Sequence, residues 1–153
     1  MVTAWRIVKK RHAESAFDGE GARHYGGRWN SPGHAAVYVA ESRALALLEI
    51  LAGVRSLRPT FGYLLIPVRF DESLVLAVAP KVLPSGWNQN PPHPSTQRIG
   101  DDWLDRKESA ILKVPSALVP EEYNYLLNPA HSEFGRIEIG TPREISIDSR
   151  FTE

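Results

Sequence analysis

Apolar residues in this chain recur in short runs rather than along extended helical stripes. Thr3–Val8 carries Trp5, Ile7 and Val8 in an extended pattern, and Ala36–Ala40 (Ala-Val-Tyr-Val-Ala) has the β-branched and aromatic content of a buried strand. Gly62–Phe70 is a nearly continuous apolar run bounded by turn signals. Ser73–Val78 is a second such run, joined to it by Asp71-Glu72, and the pair predicts a hairpin in a buried sheet. Ile111–Val114 reads as a strand stopped by Pro115, while Arg136–Gly140 and Glu144–Ile147 alternate as late strands do. One helix stands out. Ser42 is a good N-cap, the following residues are helix formers to Ala52, and Gly53 sits just past the end. A shorter helix is predicted over Gly100–Lys107.

Two segments lack periodicity. Asp18–Gly33 holds five glycines and ends on Pro32-Gly33, a loop signal; Pro80–Pro94 holds five prolines and the run Asn88-Gln89-Asn90, and reads as an irregular loop. The sum is strand-rich with one firm helix: α+β, with a mixed, mainly antiparallel sheet. Strand order is not readable from the pattern.

A length of 153 residues suits one domain with a sizeable core, and no repeat or linker divides it. Hydrophobic residues at 42% and charged residues at 24% match an ordinary soluble protein. No segment approaches the roughly 20 apolar residues of a membrane helix. The first residues show no signal-peptide core, and cysteine is absent, which excludes disulfides, thiolate catalysis and cysteine metal sites. Cytoplasmic placement is the expectation. Eighteen basic residues balance eighteen acidic ones, and the first 75 residues carry ten and seven of them. That asymmetry is too mild for direct nucleic-acid binding.

The chain has no Walker A loop, no Gly-x-Ser-x-Gly elbow and no His-Glu-x-x-His. Gly19-Glu-Gly21 opens a dinucleotide fingerprint that fails at His24. The five histidines show no ligand spacing, so no metal is expected.

Arg28 lies in Gly26-Gly-Arg-Trp-Asn30. Two glycines allow close backbone approach, and guanidinium offers a planar fork to phosphate or carboxylate, with Trp29 as a pocket wall. A tight turn with a solvated arginine and a core tryptophan fits the pentapeptide equally well. Glu49 is more telling. At ~100° per residue, Ala44, Leu47, Leu48 and Leu51 form the expected core face of its helix, and Glu49 points away among Leu45, Ala46, Ser42 and Gly53. Those neighbours are apolar or small, so a carboxylate there suits a cleft, although an exposed helix acid is the plainer alternative. Tyr38 reads as a core tyrosine, facing opposite to Val37 and Val39. Ser116 has no adjacent base and reads as a hydrogen-bonding group; Asn124 and Asn128 read as capping or turn residues.

Taken in order, Trp5-Arg6, Gly26–Asn30, Val37–Ser42, Ala46–Glu49, Ile99–Leu104, Val114–Ala117 and Asn124–His131 resemble the RES-domain family. The family's arginine, glutamate and serine map onto Arg28, Glu49 and Ser116. The resemblance covers nearly the whole chain, and it implies a single RES domain over residues 1–153 with an ADP-ribosyltransferase-like fold. It also implies a toxin that depletes NAD⁺ by hydrolysis or phosphorolysis, or that modifies a protein with ADP-ribose, and an Xre-type helix-turn-helix antitoxin as partner. NAD⁺ would be a substrate, with no further cofactor. The implied roles are stabilisation of sugar charge by Glu49, pyrophosphate binding by Arg28, and stacking on nicotinamide by Tyr38. Trp29, Ser116 and Asn124 would complete the binding set.

Overall fold

The computed structural model describes residues 1–53, 57–58 and 62–152. Among these residues, eight strands and three α-helices follow one another as β1 (Val2–Lys9), α1 (Glu20–Tyr25), β2 (Val37–Ala40), α2 (Arg43–Ala52), β3 (Tyr63–Phe70), β4 (Val75–Ala77), α3 (Pro94–Arg106), β5 (Ile111–Pro115), β6 (Tyr123–Leu127), β7 (Glu138–Ile139) and β8 (Arg143–Ile145). The strands form one sheet in the order β4-β5-β6-β2-β1-β3-β7, with β8 also on β3. Of the strand pairs among the described residues, β4–β5 is parallel and the rest are antiparallel, so the sheet is mixed and mainly antiparallel as the sequence predicts.

Alternation along the strands separates two cores. Val37, Val39, Tyr125 and Leu127 join Ala4, Val68, Phe70 and Ile111 on one face. Leu112, Val114 and Leu126 face the other way and pack under Trp29, Trp103 and Leu104, with Tyr38 against them. Trp103 is buried with its indole N–H donating to Ser109 Oγ at 2.8 Å, which removes the cost of burying that donor.

The middle of the sheet is split. β1 matches β3 in eight register pairs but meets β2 in one, Trp5 with Ala40. Arg6 spans the gap: its Nη1 donates to the Tyr38 carbonyl at 2.9 Å and its Nε to the Ala16 carbonyl at 2.7 Å. Burial lowers its guanidinium pKa to about 10.

Several expectations change. The run at Ser73–Val78 does not form a hairpin with β3; β4 pairs with β5, at the opposite edge from β7. The Gly-rich segment contains helix α1, entered through Gly19 in the left-handed conformation and left through Gly26 at φ 72°. The short helix predicted from Gly100 begins at Pro94, where the proline occupies a first-turn position that needs no N–H. Asn124 lies in β6 rather than in a turn. On α2, Leu45 and Ala46 are buried while Ala44 and Leu48 are exposed, so the core face is rotated from the expected one. Ser42 caps this helix as predicted, its Oγ accepting from the Leu45 N–H at 3.0 Å.

Candidate active site

The split in the sheet opens into a cleft of about 600 Å³, within the usual range for small-molecule sites. Arg28, Trp29, Tyr38, Glu49 and Asn124 all line it. Four separate elements therefore deliver the predicted residues to one place.

The rotated face of α2 explains how Glu49 arrives there. Leu45 and Ala46 turn toward β1 and β2, and Glu49 follows them one turn later on the same side. It is half-buried, and Asn124 on β6 donates its Nδ2 to Glu49 Oε2. Burial raises the Glu49 pKa; the Asn124 hydrogen bond and the positive charge of Arg28 oppose that rise. No contact ion pair joins Arg28 to Glu49 among the described residues, so the two charges act across open space.

Arg28 is presented by a tightly held loop. Gly27 N–H donates to the Asn30 carbonyl at 2.9 Å, and a Cβ at Gly27 would sit 2.7 Å from Tyr38 Oη. The second glycine thus makes room for a tyrosine within the protein. Asn30 is fully buried, its Nδ2 donating to the carbonyls of Ala22 and His34. From α3, Gln97 donates to the Gly27 carbonyl and the Asp101 carboxylate accepts from the Ser31 N–H and hydroxyl. The Arg28 side chain leans on the 80–94 loop, with Nη1 donating to the carbonyls of Trp87 (3.0 Å) and Gln89 (2.6 Å). Nε and Nη2 have no hydrogen-bond partner among the described residues. Burial lowers its pKa, with Glu49 opposing.

Tyr38 offers its ring, not its hydroxyl. The hydroxyl donates to Asn30 Oδ1 at 2.7 Å and accepts from the Trp29 N–H at 3.0 Å, and burial pushes its pKa upward. Ser116 is not among the residues that line the cleft. It is fully buried, and its Oγ accepts from the backbone N–H groups of Leu118 and Val119. That turn holds Ala117 and Leu118, which do line the cleft.

Three further residues with charged or amide side chains line the cleft without a role assigned from sequence. Asn88 and Asn90 come from the 80–94 loop, and Arg6 from β1. Arg6 carried a signal, since an arginine in the middle of an apolar strand needs a buried partner. The two asparagines carried none, because amides in a proline-rich loop look like turn residues.

Fold and cleft together define an α+β protein with an ADP-ribosyltransferase-like fold. A chain of the crystal structure of the M. tuberculosis MbcT–MbcA toxin–antitoxin complex superposes with a TM-score of 0.78 at 19% identity, covering 95% of this chain and 84% of that one. The RES domain family model matches residues 3–148. The chain belongs to the RES-domain family. Among its relatives, "Toxin Res" of Yersinia enterocolitica is 41% identical over 130 residues, 85% of this chain and 86% of that protein. "Prs ADP-ribosylating toxin" of a Sphingobium species is 38% identical over 151 residues, 95% and 94% of the two chains. The family is thus one of toxins. Among the described residues no helix is long and apolar enough to cross a membrane.

Proposed function

We propose that this toxin cleaves NAD⁺ at the bond between nicotinamide and ribose, depleting the dinucleotide in the cytoplasm. The observation that carries the reading is a half-buried carboxylate, Glu49, which shares an open cleft with Arg28 and has no ion pair among the described residues. As the C1′–N bond breaks, its electron pair returns to the nicotinamide nitrogen and positive charge moves onto the ribosyl ring. A fixed carboxylate partly withdrawn from water stabilises that charge as it forms. Water or phosphate then adds to C1′, and water gives up a proton to the solvent. Nicotinamide leaves as a neutral molecule, so no general acid is needed.

The free Nε and Nη2 of Arg28 suit the pyrophosphate, and the rings of Tyr38 and Trp29 supply apolar walls. Ser116 contributes by holding the Ala117–Leu118 wall. A second reading, transfer of ADP-ribose to a protein side chain, is favoured by the name of the Sphingobium relative. The partner is an antitoxin bearing an Xre-type helix-turn-helix domain, which would supply any DNA binding that this net-neutral chain lacks.

The purified protein is incubated with NAD⁺, with and without phosphate, and free nicotinamide is followed. Release without added protein supports glycohydrolase or phosphorylase activity, and release only with an acceptor protein supports transfer. No release under either condition leaves an interaction domain. Arg28→Lys is expected to raise KM for NAD⁺ by about 10-fold or more, because an ammonium cannot reproduce the bidentate fork. An unchanged KM would remove Arg28 from phosphate binding.

A further inference from the structure

The 80–94 loop reads as irregular in sequence, yet the fold anchors it. Leu83 and Trp87 pack against the core cluster of Trp29, Trp103 and Leu104, with the Trp87 and Trp29 rings 6.4 Å apart and tilted by 32°. Backbone bonds close two successive turns. Trp87 N–H donates to the Pro84 carbonyl at 3.1 Å, and Gln89 N–H donates to the Gly86 carbonyl at 3.0 Å. Gly86 permits the second turn: its φ is 76°, and a Cβ there would meet the Gln89 side chain at 2.9 Å.

These turns present a pair of carbonyls to Arg28. Those of Trp87 and Gln89 both accept from its Nη1, at 3.0 and 2.6 Å. Nη1 carries two protons, so the two carbonyls use all that it can donate. A guanidinium offers an anion two bidentate edges, one of Nη1 with Nη2 and one of Nε with Nη2. The loop closes the first. The second has no partner among the described residues and is left for a ligand in the cleft that Arg28 lines. An arginine ordered before its ligand arrives also loses less entropy on binding.

We propose that Trp87 is a positioning residue for Arg28: its ring, docked on Trp29, fixes the turn whose two carbonyls aim the Nε–Nη2 edge of the guanidinium at the substrate's diphosphate. The inference rests on the NAD⁺ reading of the cleft, in which Arg28 takes the pyrophosphate. Trp87 does not line the cleft, and it acts through backbone oxygens that no substitution removes. Aim matters to a planar fork. It matters far less to an ammonium, a point charge whose three donors turn freely. That difference separates positioning from structural support.

ADP-ribose, which keeps the diphosphate and needs no turnover, is the probe. Its Kd is measured by calorimetry for wild type, Trp87→Ala, Arg28→Lys and the double variant, and the same cycle is read in the KM for NAD⁺. Trp87→Ala is expected to weaken both by about 5-fold, the cost of immobilising one side chain on binding. In the Arg28→Lys background the same change is expected to cost less than about 2-fold, because no fork is left to aim. Trp87→Phe keeps a ring on Trp29 and should restore most of the affinity of the arginine protein. Gly86→Ala reaches the same turn without altering the core, and it replaces Trp87→Ala in the cycle if that variant does not fold. An equal factor in the arginine and lysine backgrounds, or no loss in the arginine one, overturns the positioning role whatever the urea midpoint does. Wild-type protein that neither binds ADP-ribose nor releases nicotinamide removes the underlying reading instead, and the proposal with it.

Discussion

Replacing Glu49 by glutamine is expected to lower nicotinamide release by at least about 100-fold and to leave the protein folded with an unchanged or slightly raised unfolding midpoint. The two halves of this result have one cause. Burial makes ionisation of Glu49 costly, so its pKa in the folded protein lies above that in the unfolded chain. A group shifted in this direction contributes stability at low pH, and the contribution is lost as pH rises through the folded pKa. At neutral pH its charge therefore opposes folding, and the neutral amide removes the opposition while still accepting from Asn124. Only the transition state loses. The same shift places the acid limb of the wild-type rate profile above the ordinary carboxylate range, because activity disappears as Glu49 takes up its proton. Wild-type turnover in Glu49→Gln would exclude the carboxylate from the chemistry, and loss of soluble fold would make it a structural group. Nicotinamide release and urea denaturation on the same preparation separate these outcomes.

The second large effect is structural. In α3, a Cβ on Gly100 would lie 1.6 Å from the Trp29 carbonyl oxygen and 2.7 Å from its carbonyl carbon. Those are backbone atoms, so no side-chain rotation relieves the contact, and helix and loop must separate. Gly100→Ala is expected to cost about 3 kcal/mol or more, at or beyond the upper end of ordinary overpacking. It should also weaken NAD⁺ binding, because the loop that α3 moves away from is the one presenting Arg28. Gly135→Ala is the control, since nothing lies within 4 Å of its would-be Cβ. Equal urea midpoints for the two variants would show that α3 does not hold the Trp29 loop closely.

Local chemistry in the sequence determined a good deal of this protein. The β-branched runs became β1, β2, β3 and β5, because alternation records burial on a pleated sheet whatever its neighbours are. Ser42 and Gly53 bounded α2 because caps act on the few backbone groups beside them. Glu49 stood out by its apolar company, and the ordered motifs pointed to Arg28 and Ser116.

Tertiary structure decided the rest, for identifiable reasons. A continuous apolar run declares that a strand is buried but not what it pairs with, so β4 could join β5 at one edge of the sheet instead of folding back on β3. Between Ala44 and Leu51 every residue except Glu49 is apolar, so the pattern has no unique stripe, and packing against β1 and β2 chose Leu45 and Ala46. β6 was hidden because Asn124 and Asn128 carry turn chemistry in sequence; Asn128 does make that turn just past the strand, its Oδ1 accepting from the Ala130 N–H, while Asn124 lies within β6 and reaches Glu49. The serine of the family motif supports a wall of the cleft, and the tyrosine hydroxyl is spent on the Trp29–Asn30 backbone and side chain. The cleft itself exists because β1 and β2 meet at a single register pair. That gap is a relation between strands about thirty residues apart, and no periodicity within either strand encodes it.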